Sequence, residues 1–137
     1  MNDDDIDESL KGNWADILNP YNDKLISQQI NKFANLKQLS DDEHILKYRG
    51  KFYFVIGEYE LALSDLKRLL EFEANNTFAL RYRGETFYIM EKYEESLADL
   101  NKLLEIKAND TWTINAREEV TIMYKMYEYN SLFILII

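Results

Sequence analysis

Residues 43–76 read EHILKYRGKFYFVIGEYELALSDLKRLLEFEANN, and residues 77–110 read TFALRYRGETFYIMEKYEESLADLNKLLEIKAND. Laid over one another without a gap, the two segments agree at about 14 of 34 positions. The matched pairs include Leu46/Leu80, Tyr48/Tyr82, Arg49/Arg83, Gly50/Gly84, Tyr59/Tyr93, Leu63/Leu97, Asp65/Asp99, Leu66/Leu100, Leu69/Leu103, Leu70/Leu104 and Asn75/Asn109. Each copy holds two helical patterns. Leu46, Gly50, Tyr53 and Phe54 fall three to four residues apart in the first half, and Tyr59, Ala62, Leu63, Leu66, Leu69 and Leu70 do so in the second. Gly57-Glu58 separates the halves of the first copy and Glu91-Lys92 those of the second. At the ends of the copies, Asn75 and Asn109 suit a left-handed helix stop, and Asn76 and Asp110 suit the cap of the next helix. Upstream, Ser40-Asp-Asp-Glu43 has the spacing of a capping box. The pattern is helix, tight turn, helix, short turn, twice over.

Composition agrees with an all-helical chain. Four glycines and one proline in 137 residues leave little turn punctuation, and 47% apolar with 14% aromatic residues supply a packed core. A net charge of −9 repels phosphate backbones and anionic lipid heads, so neither nucleic acid nor a membrane surface is an expected partner. With no cysteine, and His44 as the one histidine, disulfides, thiolate chemistry and Cys- or His-based metal sites are excluded. The N-terminus, MNDDDIDESL, is acidic where a secretory leader starts basic, and no stretch reaches the roughly 20 apolar residues of a membrane span. A cytoplasmic location is expected.

The paired segments resemble the tetratricopeptide repeats. The period, Gly50 and Gly84 early in the first helix, and Tyr53 and Phe87 three residues later are similar to that repeat's signature, as are the Gly57-Glu58-Tyr59 turn and Ala62 and Ser96 opening the second helix. The resemblance implies an all-α, right-handed helical-hairpin solenoid that binds other proteins. Its usual proline near the end of the unit is replaced by Ala74 and Ala108. The expected plan is an acidic tail over 1–10, a degenerate repeat or N-terminal helical cap over 11–42, repeats over 43–76 and 77–110, and a partial or truncated third repeat over 111–137. In the N-terminal segment, Trp14, Ile17 and Leu18 suit a short helix; Asn19-Pro20 suits a helix start, followed by Ile26, Ile30, Phe33, Leu36 and Leu39. In the third unit Trp112, Ile114, Arg117 and Tyr127 fall in register, but the glycine position is Glu118. Its second helix is expected to be EYNSLFILII, ending in the apolar run 132–137. That run is expected either to pack on Leu97, Leu100 and Leu104 or to remain a sticky patch.

Catalysis needs groups held in convergent geometry, and the chain offers none. Glu58, Glu60, Glu71, Glu94, Glu95 and Glu105 lie on helix faces with Lys67, Arg68, Lys102 and Lys107, a solvated arrangement. Arg49 with Asp65, and Arg83 with Asp99, recur at the same repeat positions, which points to structural pairs between neighbouring helices. No phosphate-binding glycine loop exists, since Gly50 and Gly84 lie within helical patterns. No catalytic residue, metal or cofactor is expected.

The family's geometry places a binding groove on outward positions of the first helix of each unit. Those are His44, Lys47, Lys51 and Phe54, then Phe78, Arg81, Glu85 and Tyr88, then Trp112, Asn115, Glu119 and Ile122. Lys47, Lys51, Phe54, Phe78, Arg81, Glu85, Tyr88 and Trp112 are the candidate contacts, with Phe78 and Trp112 expected to be the most exposed aromatics. Cations beside aromatics on an acidic chain suit a protein or peptide segment that is acidic and carries apolar anchors. One subgroup of the family clamps the terminal carboxylate of heat-shock chaperones with basic and asparagine residues. The matching positions hold Lys47, Lys51, Tyr82, Trp112 and Ala116, of which Lys47 alone agrees, so that clamp is disfavoured. The expected function is a protein-interaction scaffold. The alternatives are a module that forms homo-oligomers through its apolar C-terminal helix, and a fragment of a longer repeat protein.

Overall fold

The structure, a computed structural model, describes residues 42–137. The acidic tail and almost all of the N-terminal segment, including Trp14, Ile17, Leu18, the Ile26 to Leu39 pattern and Ser40, lie outside the described residues. Among the described residues the chain is helical throughout, with α1 (Glu43–Val55), α2 (Tyr59–Phe72), α3 (Thr77–Ile89), α4 (Tyr93–Ile106) and α5 (Thr111–Ile136). No helix among them is long and apolar enough to cross a membrane.

Local chemistry explains where the helices begin. Asp42 caps α1 by accepting from the His44 N–H at 2.9 Å. Asn76 caps α3 by accepting from the Ala79 N–H at 2.9 Å. The Asp110 carboxylate caps α5, taking both the N–H and the hydroxyl of Thr113. Each such oxygen satisfies a backbone donor that the helix itself leaves unpaired.

The tight turns share one geometry. Gly57 at φ +83° and Glu91 at φ +61° are the left-handed residues among those described. Glu58 N–H donates to the Tyr53 carbonyl at 2.8 Å and Gly57 N–H to Phe54 at 3.2 Å; Lys92 to Phe87 at 2.8 Å and Glu91 to Tyr88 at 3.0 Å repeat the pattern. These are Schellman stops, and glycine is the residue they suit best. The left-handed stops expected at Asn75 and Asn109 are not present. Instead α2 ends on Glu73 at φ −141° and α4 on Lys107 at φ −128°. The Asn76 N–H donates to the Glu73 carbonyl and the Asp110 N–H to the Lys107 carbonyl, each at 3.1 Å, which closes the short connections without a left-handed residue.

Helices α1 and α2 form one hairpin and α3 and α4 a second; α2 packs on α3, α4 on α5, and α1 touches α3. Leu46, Leu66, Leu69 and Ala79 form the buried seam that joins the hairpins. Full burial of each leucine contributes about 1.5–3 kcal/mol of transfer free energy. Each hairpin is also crosslinked by a bidentate ion pair. Arg49 donates Nε and Nη2 to the Asp65 carboxylate at 2.7 Å each, and Arg83 reaches Asp99 at 2.8 and 2.7 Å. Glycine permits the close approach of α1 to α2, since a Cβ at Gly50 would sit 3.1 Å from Leu66 Cδ2.

The third unit departs from expectation. The sequence separates EYNSLFILII as a returning helix, but α5 runs unbroken for 26 residues. The devices that fold the first two hairpins are missing from it. Lys125 stands where Gly57 and Glu91 turn the chain, Glu118 where Gly50 and Gly84 admit a partner helix, and Phe133 where Asp65 and Asp99 bind arginine. Arg117, lacking that aspartate, donates to Asn101 Oδ1 at 3.4 Å. The apolar run does not pack on Leu97, Leu100 or Leu104: Leu132 is 60% exposed, Phe133 54% and Ile137 87%.

Candidate functional site

The first helices of the units, α1, α3 and α5, line one side of the array and hold two adjoining hollows. The first, of about 440 Å³, is bordered by Lys47, Lys51, Phe78, Arg81, Tyr82, Lys107, Asp110 and Trp112. The second, of about 390 Å³, is bordered by Phe54, Gly84, Glu85, Tyr88, Ile89, Ser96, Leu100, Trp112, Asn115, Ala116, Glu119 and Val120. All eight sequence-predicted contact residues border one or the other, and Trp112 borders both.

In the first hollow the cations lie on aromatic faces. The Lys47 ammonium stands 4.9 Å from the Phe78 ring centre, the Lys51 ammonium 5.5 Å from Tyr82, and the Arg81 guanidinium 4.0 Å from Trp112. The ring quadrupole attracts each cation and restricts its motion, so the charges are partly ordered before any ligand arrives. Asp110, the one carboxylate among the described residues that border the hollow, is engaged as the α5 cap. The bonds from Thr113 hold it below the usual carboxylate range, with Lys107 and Arg81 adding to the effect. The hollow is therefore strongly cationic on a chain whose net charge is −9.

Aromatic packing builds its wall. Phe54 meets Tyr82 edge-on at 5.6 Å, and Phe78 lies 4.5 Å from Tyr82. Phe78 and Trp112, expected to be the exposed aromatics, are only half-exposed, as are Phe54 and Tyr88. Phe78 rests on the inter-hairpin seam and Trp112 on the cluster of Tyr93, Leu100 and Val120. All four rings therefore offer one face to the groove and one to the core.

The second hollow has carboxylates in place of cations. Glu85 Oε1 lies 3.7 Å from Arg81 Nε, and burial raises the Glu85 pKa against the opposing pull of Arg81. The Tyr88 hydroxyl donates to Glu119 Oε1 at 3.3 Å. Burial and that carboxylate push the Tyr88 pKa up. The floor comes from α4, where Ser96 is fixed by donating its hydroxyl to the Gly84 carbonyl at 2.7 Å.

Tyr82 and Lys107 are among the groove residues that escape the sequence reading. Tyr82 counts there as a repeat match and a departure from the clamp, yet it touches Phe54, Phe78 and Lys51. Lys107 reads as part of a solvated face, but it follows the end of α4 and borders the cationic hollow. The clamp position occupied by Tyr82 was the available signal for the first; the second needed the three-dimensional path of the turn. Among the described residues no group of three or more His, Cys, Asp or Glu side chains could hold a metal.

Two helical hairpins stacked with parallel first helices, followed by a further first helix, give the fold of a tetratricopeptide-repeat domain. Among solved structures, the chain is similar to the first tetratricopeptide-repeat domain of Spaghetti (RPAP3) bound to the HSP90 peptide SRMEEVD. The likeness has a TM-score of 0.63 at 18% identity and covers 80% of this chain and 91% of that one. No protein-family model matches the sequence, and no curated protein matches it either.

Proposed function

We propose that the protein is a cytoplasmic interaction scaffold that holds an acidic, extended segment of a partner protein in the groove of α1, α3 and α5. One observation carries the reading: Lys47, Lys51, Arg81 and Lys107 converge on a single aromatic-walled hollow of a chain whose net charge is −9. Binding of the peptide SRMEEVD by the solved structure of the same fold supports a peptide ligand. The role is one of recognition, through charge complementarity and a surface formed in advance, with no chemical step.

The clamp positions bear on how such a ligand is held. Lys47 agrees with the chaperone-tail subgroup, while Lys51, Tyr82, Trp112 and Ala116 do not. Arg81 and Lys107 supply cationic charge from other positions. Recognition therefore rests on acidic side chains along the segment more than on its terminal carboxylate.

Fluorescence anisotropy with a labelled acidic peptide carrying one leucine or methionine anchor tests the reading. Lys51→Glu combined with Arg81→Glu is expected to abolish binding with helical circular dichroism unchanged, and amidating the peptide's C-terminus to leave binding intact. Unchanged affinity in the double variant would place the binding surface elsewhere.

A further inference from the structure

The groove changes sign along its length. Beside the N-terminal ends of α3 and α5 it presents Lys47 and Lys51 from α1, Arg81 from α3 and Lys107 from the turn after α4. One to two turns further along α3 and α5 it presents Glu85 and Glu119 around an apolar cleft, with no Lys or Arg among the described residues of the lining. The boundary is the Arg81–Glu85 pair at 3.7 Å, beside the Trp112 ring that both hollows share.

The cleft has room for a large apolar side chain together with part of the residue beside it. Its volume of about 390 Å³ and its walls of Phe54, Ile89, Trp112, Ala116 and Val120 match an aliphatic or aromatic anchor. Among the described residues, the two carboxylates at its edge are matched unequally. Glu85 is paired with Arg81 at 3.7 Å and feels Lys51 more weakly, while Glu119 has the neutral Tyr88 hydroxyl and no cation among the described residues. Burial acts against the charged form of Glu85, and a cation brought by a ligand would offset that cost.

From this juxtaposition we infer that the cleft around Glu85 and Glu119 is a second subsite, taking an apolar side chain followed by a lysine or arginine of the segment whose acidic part lies on Lys47, Lys51 and Arg81. The inference rests on the groove reading above and adds a partner of bipolar charge. Helical rise sets the separation. From Arg81 to Tyr88 the helix advances about 10 Å, which an extended peptide spans in about three residues. The recognised pattern is thus an acidic cluster, an apolar anchor and a basic residue within about five positions.

Anisotropy titrations of the full chain with two synthetic peptides decide it. One carries glutamates, a leucine and a terminal-proximal arginine pair; the other is identical except for glutamine in place of both arginines. The bipolar peptide is expected to bind about fivefold more tightly at low salt, with the preference shrinking as salt is added. Glu119→Gln, an exposed and isosteric change, should erase most of that preference, and Glu85→Gln should do the same. The readout is the difference between the two peptides, because Glu85→Gln also releases Arg81 and shifts the affinity for glutamates in both. Equal affinity of the two peptides, or a preference that survives both variants, overturns the second subsite and leaves the cationic groove standing. Binding of neither peptide overturns the groove reading and this inference together.

Discussion

Residues 43–106 and residues 111–136 carry the same repeat register, yet the first region folds back on itself twice and the second runs straight. The difference lies in three positions per unit. Where the chain turns, a left-handed residue stops the first helix, a glycine admits the second, and an arginine–aspartate pair fastens them. In α5 the corresponding residues are Lys125, Glu118 and Phe133: the close-packing glycine and the arginine–aspartate pair are lost, and the chain stays helical through Lys125. Tyr127 keeps its register and still lies 5.8 Å from Tyr93, but it does so from within a continuous helix. Apolar spacing alone therefore does not make a hairpin. The small set of polar and glycine positions decides whether the chain returns.

The ion pairs give the largest test of this contrast. Arg49 and Asp65 are each 7% exposed at the side chain, whereas Arg83 is 26% exposed and Asp99 5%. Asp65→Ala takes both carboxylate bonds from a buried guanidinium and should lower stability by up to about 3–5 kcal/mol. Asp99→Ala should cost distinctly less, because Arg83 can reach water. Urea unfolding of both variants measures the gap, and equal losses would show that exposure does not grade the pairs.

Glycine contacts come next. A methyl group at Gly50 would press on the fully buried Leu66 at 3.1 Å, while at Gly84 the nearest contact is an ordinary 3.5 Å. Overpacking of this kind costs about 1–3 kcal/mol, and replacing a helical glycine by alanine returns about 1 kcal/mol. Gly50→Ala is therefore expected to destabilise and Gly84→Ala to be neutral or stabilising, as read by thermal midpoints.

The two turns differ in a smaller way. Gly57 occupies the left-handed region freely, and Glu91 occupies it against the repulsion between its Cβ and the backbone. Glu91→Gly should raise stability by up to about 1 kcal/mol in denaturant titration, and Gly57→Glu should lower it by a similar amount. The smallest effect concerns pH. Burial raises the pKa of Glu85 above its unfolded value, so its ionisation weakens the fold as pH rises through the folded pKa and the penalty is relieved as pH falls. Glu85→Gln should flatten that part of the stability profile.

The repeat was legible because spacing and residue type agree in two copies, and the same agreement correctly marked Arg49, Asp65, Arg83 and Asp99 as hairpin crosslinks. Lines of outward positions on the first helices also pick out residues that border the two hollows. What the sequence could not show was how those residues combine across units. The stacking of Arg81 on Trp112 joins two helices that are separated by all of α4, and Lys107 enters through a connection that carries no periodic signal. The change of charge along the groove follows from that assembly. The unbroken course of α5 follows from a related point: a helical pattern continues equally well through a turn or without one, and the signals against a turn were single residues, Glu118, Lys125 and Phe133, outside the apolar spacing.

Amide chemical-shift mapping of the isotope-labelled full chain, titrated with the acidic, leucine-anchored peptide, tests the central claim most directly. Shifts are expected at Lys47, Lys51, Arg81, Tyr82 and Trp112, with Lys67, Glu71, Lys102 and Glu105 on α2 and α4 unmoved. Shifts concentrated on α2 and α4, or on residues 125–137, would contradict a groove built from the first helices.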